Sequence, residues 1–582
     1  MADRDGQSFG SDAGPVTPAP DWPSWRDHEH PRYMPGEILI SVTDGVGAPP
    51  ADDPRVLRLL ESVARLIGVD RLAPVGAPVG RTVPDRVRAP VAADDVEPEP
   101  EEGDIRVDVD SQVGAGTVTV LSDDGQSRQR VEAAPQPPLT LNLRLPGGAP
   151  PDGVKRDAVR TAVDRINGNL ERLRDGGLAV SSAMPNWICG STDAKIHGGP
   201  GTSPDTAPDG AWTFTVPPSG SWARDLEGSG DRPVGQPVVV AVLDSSPGWE
   251  SVADAARRFS GNALLQRLAD GAVIDDWDRF TPRSDIPKVG SHATPDHGLF
   301  VAGIIHGIAP HARIHLLRVL DGIGFGDTAS LLAALDYCLD LARRGQRVVV
   351  NLSLYALIPP DDEVWAYWFA DGAARVAPFE PSRQAPLLEI IDEEIEHRIA
   401  LLLDAGVVVV AAAGNDAFVY DHHPQPRIPA DYDTVLCVVA TDRDGAIAAY
   451  SNAADVPMTG NCVATWGGQG RQETLGTTAG PATTVDVVPT GVDPRDGVVG
   501  LYTQPSVDAA LGPVDNSSGW AYWSGTSFAT PIISGLVANL LARDPTLTPR
   551  GVMRAIAAMA TPAGVSPSLG CPYIRVEQRQ WP

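Results

Sequence analysis

Residues 524–537 read S-G-T-S-F-A-T-P-I-I-S-G-L-V, and the fold turns on this stretch. A small Ser524-Gly525-Thr526 turn delivers Ser527 to the start of an apolar helix predicted to run to about Leu541. The first N–H groups of a helix have no intrahelical partner and carry partial positive charge. A nucleophile placed there suits a substrate whose oxygen becomes negative during reaction. Pro531 is read as an early proline, tolerated because first-turn N–H groups lack partners in any case.

Three further stretches complete the pattern. Residues 237–244, P-V-V-V-A-V-L-D, read as a strand buried on both faces and ending in Asp244. The carboxyl ends of strands are the usual edge for sites in open parallel sheets. Residues 296–310, D-H-G-L-F-V-A-G-I-I-H-G-I-A-P, place His297 at the start of a helix. Residues 407–416, V-V-V-V-A-A-A-G-N-D, read as a second buried strand ending in Asn415. Taken singly, each has a plain reading as a cap or turn residue. Together they set an Asp, a His, an Asn and a Ser at element ends.

These four segments resemble the motifs of the subtilases, the subtilisin-like serine proteases, whose triad also runs Asp, His, Ser along the chain. The likeness covers roughly 235–565. Asn351-Leu352-Ser353-Leu354 resembles the strand lining the family's substrate cleft. Residues 428–440 and Tyr450-Ser451-Asn452 resemble the stretch after the oxyanion asparagine. The resemblance implies a serine endopeptidase with Asp244, His297 and Ser527 as catalytic residues and Asn415 at the oxyanion. It implies substrate contacts at Ser353, Leu354, Tyr355, Ala413 and Gly414. The chemistry follows from the residue types. A serine hydroxyl needs a base, an imidazole with pKa ~6.5 can serve, and a carboxylate fixes its tautomer.

Three positions depart from the family pattern. Ser245-Ser246-Pro247-Gly248 follows Asp244 where the family has Ser or Thr and then Gly, so the Asp loop is expected to be reshaped. Leu299 replaces a hydroxyl residue after His297-Gly298, and Tyr355 replaces the glycine after Ser353-Leu354. Tyr355 is expected to alter the cleft wall. No departure removes a catalytic group. Two other readings stand beside the peptidase: a silent binding or scaffold protein on the same fold, and an esterase or acyltransferase on the same triad.

A metal centre is the competing chemistry, because His292, His297, His306, His311 and His315 crowd together. No H-E-x-x-H or paired C-x-x-C is present, and His297 and His306 fall on opposite sides of one helix. No metal ligands are assigned and no cofactor is required. Many subtilases carry structural calcium, but no D-x-D-x-D-G loop indicates it here.

The 582 residues exceed one core, and the net charge of −29 argues against nucleic-acid partners. The 59 Gly and 55 Pro suggest long loops. The start, M-A-D-R-D-G-Q-S-F-G, has no basic or apolar leader region, and no apolar run is long enough to span a membrane. The expectation is a cytoplasmic protein with no membrane partner, with export by another route left open. Cys189, Cys338, Cys437, Cys462 and Cys571 follow no disulfide framework and read as buried thiols, with one bridge at Cys462 left open.

Upstream of the main domain the chain reads as a polar, disordered tail (1–33), an α+β module (34–190) split by an acidic insertion (78–135), and a Gly/Pro-rich linker (191–232). The module's strands at 36–42, 139–145 and 177–183, helices at 55–67 and 155–174, and a further strand at 113–121 suggest a ferredoxin-like plan. P-G-E-I-L-I and M-P-N-W resemble subtilase propeptides, which implies an intramolecular partner for the cleft and self-cleavage in the linker. The alternative is an unrelated α+β domain. From 233 to 582, alternating strands and helices predict a parallel sheet with helices on both faces. An extra hairpin is expected within 462–522, and the aromatics at 365–369 are read as packing.

Overall fold

The computed structural model describes residues 33–44, 49, 52–75, 107–108, 117–121, 128–132, 137–146, 158–191, 205–207, 211–215, 237–269, 274–276, 295–358, 392–417, 423–453, 461–474, 487–492, 496–508, 512–560 and 571–581. The tail before Tyr33, most of the acidic insertion and the aromatics at 365–369 lie outside them.

The main unit is an α/β fold on a parallel sheet. Its order is Ile274–Asp276, Arg313–Arg318, Val239–Asp244, Val348–Leu352, Val408–Ala412, Leu436–Thr441, Cys462–Trp466 and Tyr573–Ile574. Successive side chains of a strand face opposite ways, so an all-apolar strand feeds two cores. Val239, Ala241 and Leu243 pack toward the helices Thr328–Arg343 and Glu393–Asp404. Val240 and Val242 pack toward His297–Ile308, Thr526–Arg543 and Pro549–Ala558. The last of these was not anticipated, although Thr548 caps it and Pro549 opens it, an ordinary helix-start signature.

The amino-terminal module is a ferredoxin-like sheet with two helices. The strands Tyr33–Thr43, Ala73–Pro74, Leu139–Arg144 and Leu178–Ser191 stand in the order fourth, first, third, second. The second strand is the short Ala73–Pro74; Thr117–Leu121 instead pairs with Val107–Asp108 and Arg128–Glu132. Asp53 caps the helix Pro54–Ile67 and Gly68 ends it at φ 81°. Ile38, Leu141 and Val163 of the module share one core with Leu331 and Ile395 of the α/β unit.

Leu178–Ser191 runs longer than the sequence suggested, because its far end has partners in the main unit. It pairs antiparallel with Phe325–Asp327 and with Leu354–Ala356. Within the stretch read as a linker, Asp205–Thr206 pairs with the strand Trp520–Trp523 and Ala211–Thr215 pairs with Glu577–Trp581. Between 462 and 523 the described residues make three antiparallel pairings where one hairpin was expected.

Candidate active site

Asp244 ends its strand fully buried. His297 opens its helix, also fully buried, with Nδ1 at 2.7 and 2.9 Å from the two Asp244 oxygens. Gly298 makes this approach feasible. A Cβ there would stand 2.1 Å from the Ser245 carbonyl and 2.9 Å from Asp244 Cβ. The Asp loop holds together without a glycine at Ser246. Ser246 Oγ accepts from Gly248 N–H at 3.1 Å, and the positive φ of 81° falls on Gly248. Leu299 lies in the core between the sheet and the Ser527 helix.

Ser527 is the second residue of its helix and is fully buried. Its flanking residues bracket the imidazole. The His297 ring lies edge-on to Trp523 at 5.5 Å and beside Phe528 at 5.4 Å. The two helices thereby bring His297 to the amino end on which Ser527 sits.

Pro531 lies beyond the first turn, as the sixth residue of the helix. It has no N–H for the carbonyl four residues back, which belongs to Ser527. That carbonyl accepts instead from Ser353 Oγ at 2.9 Å. Ser353 Oγ accepts from Asn351 Nδ2 at 3.1 Å, and Asn351 Oδ1 accepts from Ser534 Oγ at 2.9 Å. Ser527 Oγ lies 3.4 Å from the Ser353 carbonyl. Ser353 thus anchors the Ser527 backbone.

Asn415 Oδ1 accepts from the N–H and hydroxyl of Thr526 at 3.0 and 2.9 Å, which fixes the amide beside Ser527. Gly414, at φ 110°, donates its N–H to Thr526 Oγ1 at 3.3 Å. Ala413 donates to the Val438 carbonyl and accepts from Arg427 N–H. Leu354 and Tyr355 lie opposite Ser191 and Gly190 of the module strand.

The sequence reading missed Asp296, Thr526 and the edge strand Phe325–Asp327. Asp296 is fully buried beside His297, and its Oδ2 accepts from Thr503 Oγ1 at 2.7 Å and from Thr503 N–H. Burial pushes its carboxyl up, against the pull of those hydrogen bonds. The signal for the edge strand was the glycine pair around Phe325. A Cβ at Gly326 would stand 2.2 Å from the Val319 carbonyl. Of the clustered histidines, His315 Nδ1 lies 2.9 Å from Tyr337 OH, and His306 is buried in the core, where desolvation lowers it to about 4. Among the described residues no group of His, Cys, Asp or Glu could hold a metal, all five cysteines are free and buried, and no helix is long and apolar enough to cross a membrane.

Residues 235–571 match the Peptidase S8 family, described as the subtilase family. This chain belongs to the subtilases. The match contains Asp244, His297, Asn415 and Ser527. This subtilase is similar to mycosin-4 of Mycobacterium tuberculosis, at 29% identity over 299 residues, covering 47% of this chain and 54% of that one. It is also similar to proprotein convertase subtilisin/kexin type 9 of Mus musculus, at 29% identity over 314 residues, covering 53% of this chain and 33% of that protein. The chain therefore spans about half or less of these curated relatives. Among solved structures, fervidolysin from Fervidobacterium pennivorans, a keratinolytic enzyme related to subtilisin, aligns with 93% of this chain and 60% of its own at 15% identity, with a TM-score of 0.43.

Proposed function

We propose that this subtilase is a serine endopeptidase acting on polypeptides through Asp244, His297 and Ser527. The observation that carries the reading is the buried His297–Asp244 pair, 2.7 Å apart, at the amino end of the Ser527 helix. Ser527 Oγ attacks the peptide carbonyl while His297 Nε2 takes its proton. Asp244 holds the Nδ1–H tautomer and stabilises the imidazolium. His297 then returns the proton to the leaving amine, and water hydrolyses the acyl-enzyme by the reverse proton path. The Asn415 amide and the Ser527 N–H donate to the oxyanion.

The amino-terminal module is proposed as an internal inhibitor. Its strand Leu178–Ser191 fills the gap between Phe325–Asp327 and Leu354–Ala356, where an extended substrate would add as a strand. The proposed chemistry uses side chains and backbone only. A fluorophosphonate probe applied to the full chain and to Ser527→Ala tests the reading. Labelling of the wild type alone is expected once self-cleavage has released the module, and intact mass reports that cleavage. Equal labelling of both proteins would exclude Ser527 as the nucleophile.

A further inference from the structure

The slot between Phe325–Asp327 and Leu354–Ala356 is lined differently on its two faces. Side chains of a strand alternate, and directly paired residues share a face. Gly190 pairs with Phe325 on one side and with Tyr355 on the other. Ile188, two residues back on the same face, pairs with Asp327, and its carbonyl accepts from Leu357 N–H at 2.8 Å. Ile188, Phe325, Tyr355 and Leu357 form one small apolar cluster with Met34, each no more than 3% exposed. Cys189 points to the opposite face, into the main core. Two aromatic rings thus flank a residue with no side chain and close onto a branched aliphatic one.

We infer that Phe325 and Tyr355 form a two-ring clamp that selects bound peptide strands at two positions. It requires glycine where Gly190 lies and a branched aliphatic residue where Ile188 lies. The occupant is an extended peptide, because the module's own strand already sits there, paired on both edges. Gly190 is itself buried, so a side chain in its place would have to be accommodated on the face that already holds Phe325, Tyr355 and Ile188. A hydrophobic pocket that gains or loses a methylene discriminates by about 10- to 200-fold, and this sets the scale expected at the Ile188 place. For substrates, the inference rests on the peptidase reading above.

Two measurements test it. Amide exchange on the full chain reads the clamp without any turnover. Gly190→Val should raise exchange in 325–327 and 354–356, and adding Tyr355→Gly should restore protection; Gly190→Ala is the milder variant if valine prevents folding. Internally quenched peptides copying 184–200, with Gly or Val at position 190 and Ile or Asp at 188, read selection. The wild type should prefer Gly and Ile by at least tenfold, and Tyr355→Gly should lose the glycine preference. Cleavage that depends on Ser527 but ignores both positions would overturn the clamp and leave the peptidase standing. With no Ser527-dependent cleavage the peptidase reading falls, and exchange alone decides the clamp. Protection unchanged by Gly190→Val would overturn it.

Discussion

Single residues set the geometry of the Ser527 turn by what they lack as much as by what they offer. Pro531 lacks an N–H, which leaves the Ser527 carbonyl to Ser353, and Gly298 lacks a Cβ, which lets His297 reach Asp244. Ser353→Ala leaves that buried carbonyl without its donor. It should lower kcat with KM little changed and cost about 1–3 kcal/mol of stability, measured by urea denaturation. Asn415→Leu removes one proposed oxyanion donor, so kcat should fall by about 10²–10³-fold, read with any peptide the wild type cleaves. His306 supplies a pH dependence. Its folded pKa, about 4, lies below the usual ~6.5 of the unfolded chain. The unfolded state takes up a proton in that window while the folded state does not, so this contribution is present above the unfolded value and is lost as pH falls toward 4. The thermal midpoint of His306→Leu should therefore fall less between pH 7 and pH 4.5 than that of the wild type; parallel curves would exclude His306 as the source.

At the scale of elements, the module and the α/β unit meet through hydroxyl hydrogen bonds to a buried ion-pair cluster of the α/β unit as well as through apolar packing. Arg398, on the helix Glu393–Asp404, is fully buried. It donates to Glu394 at 2.5 Å, to Thr140 Oγ1 of the module at 2.8 Å, and pairs with Asp336 at 3.1 Å. Ser182 of the module donates to Glu394 at 2.6 Å. Burial raises Glu394, but the Arg398 charge and the Ser182 hydroxyl outweigh it and leave the carboxyl below its usual value. Burial lifts Asp336 to about 6 despite Arg398. Removing one partner of a buried pair strands the other. Arg398→Ala should cost about 3–5 kcal/mol, whereas Arg398→Met combined with Glu394→Gln should cost less. Chemical denaturation of both variants checks this, and equal losses would show that the charge pairing is not what matters. A second cross-unit contact joins Asn186 Nδ2 to Glu37 and Asp327, both at 3.0 Å, while Asn186 Oδ1 accepts from Ala329 N–H at the start of the helix Thr328–Arg343.

At the scale of the whole molecule, the α/β unit was legible because its signals are local. Val239–Asp244 and Val408–Ala412 are apolar on both faces, which only a sheet covered on both sides can bury. Asp244 ends the first of these strands, Asn415 follows the second by three residues, and His297 and Ser527 stand in the first turn of their helices, positions that local pattern marks. The helix Trp249–Arg258 was legible in the helical spacing of Val252, Ala255, Ala256 and Phe259 and was missed, whereas the pairings of 205–207 and 211–215 were not legible. Those pairings depend on partners distant in sequence, and Gly/Pro-rich composition hides a segment whose backbone is satisfied across a sheet edge. The ferredoxin-like order was anticipated with the wrong second strand, because Ala73–Pro74 is too short to show a period, whereas 113–121 shows one. The sequence by itself determined the doubly covered sheet and the placement of Asp244, His297, Asn415 and Ser527 at or beside element ends, since burial periodicity and element ends are local properties. Only the tertiary structure decided that the module's last strand lies between two edge strands, that Tyr355 faces Gly190 and Ile188, and that Ser353 holds Ser527. Those are pairings between distant segments, fixed by register and packing, which no local pattern encodes.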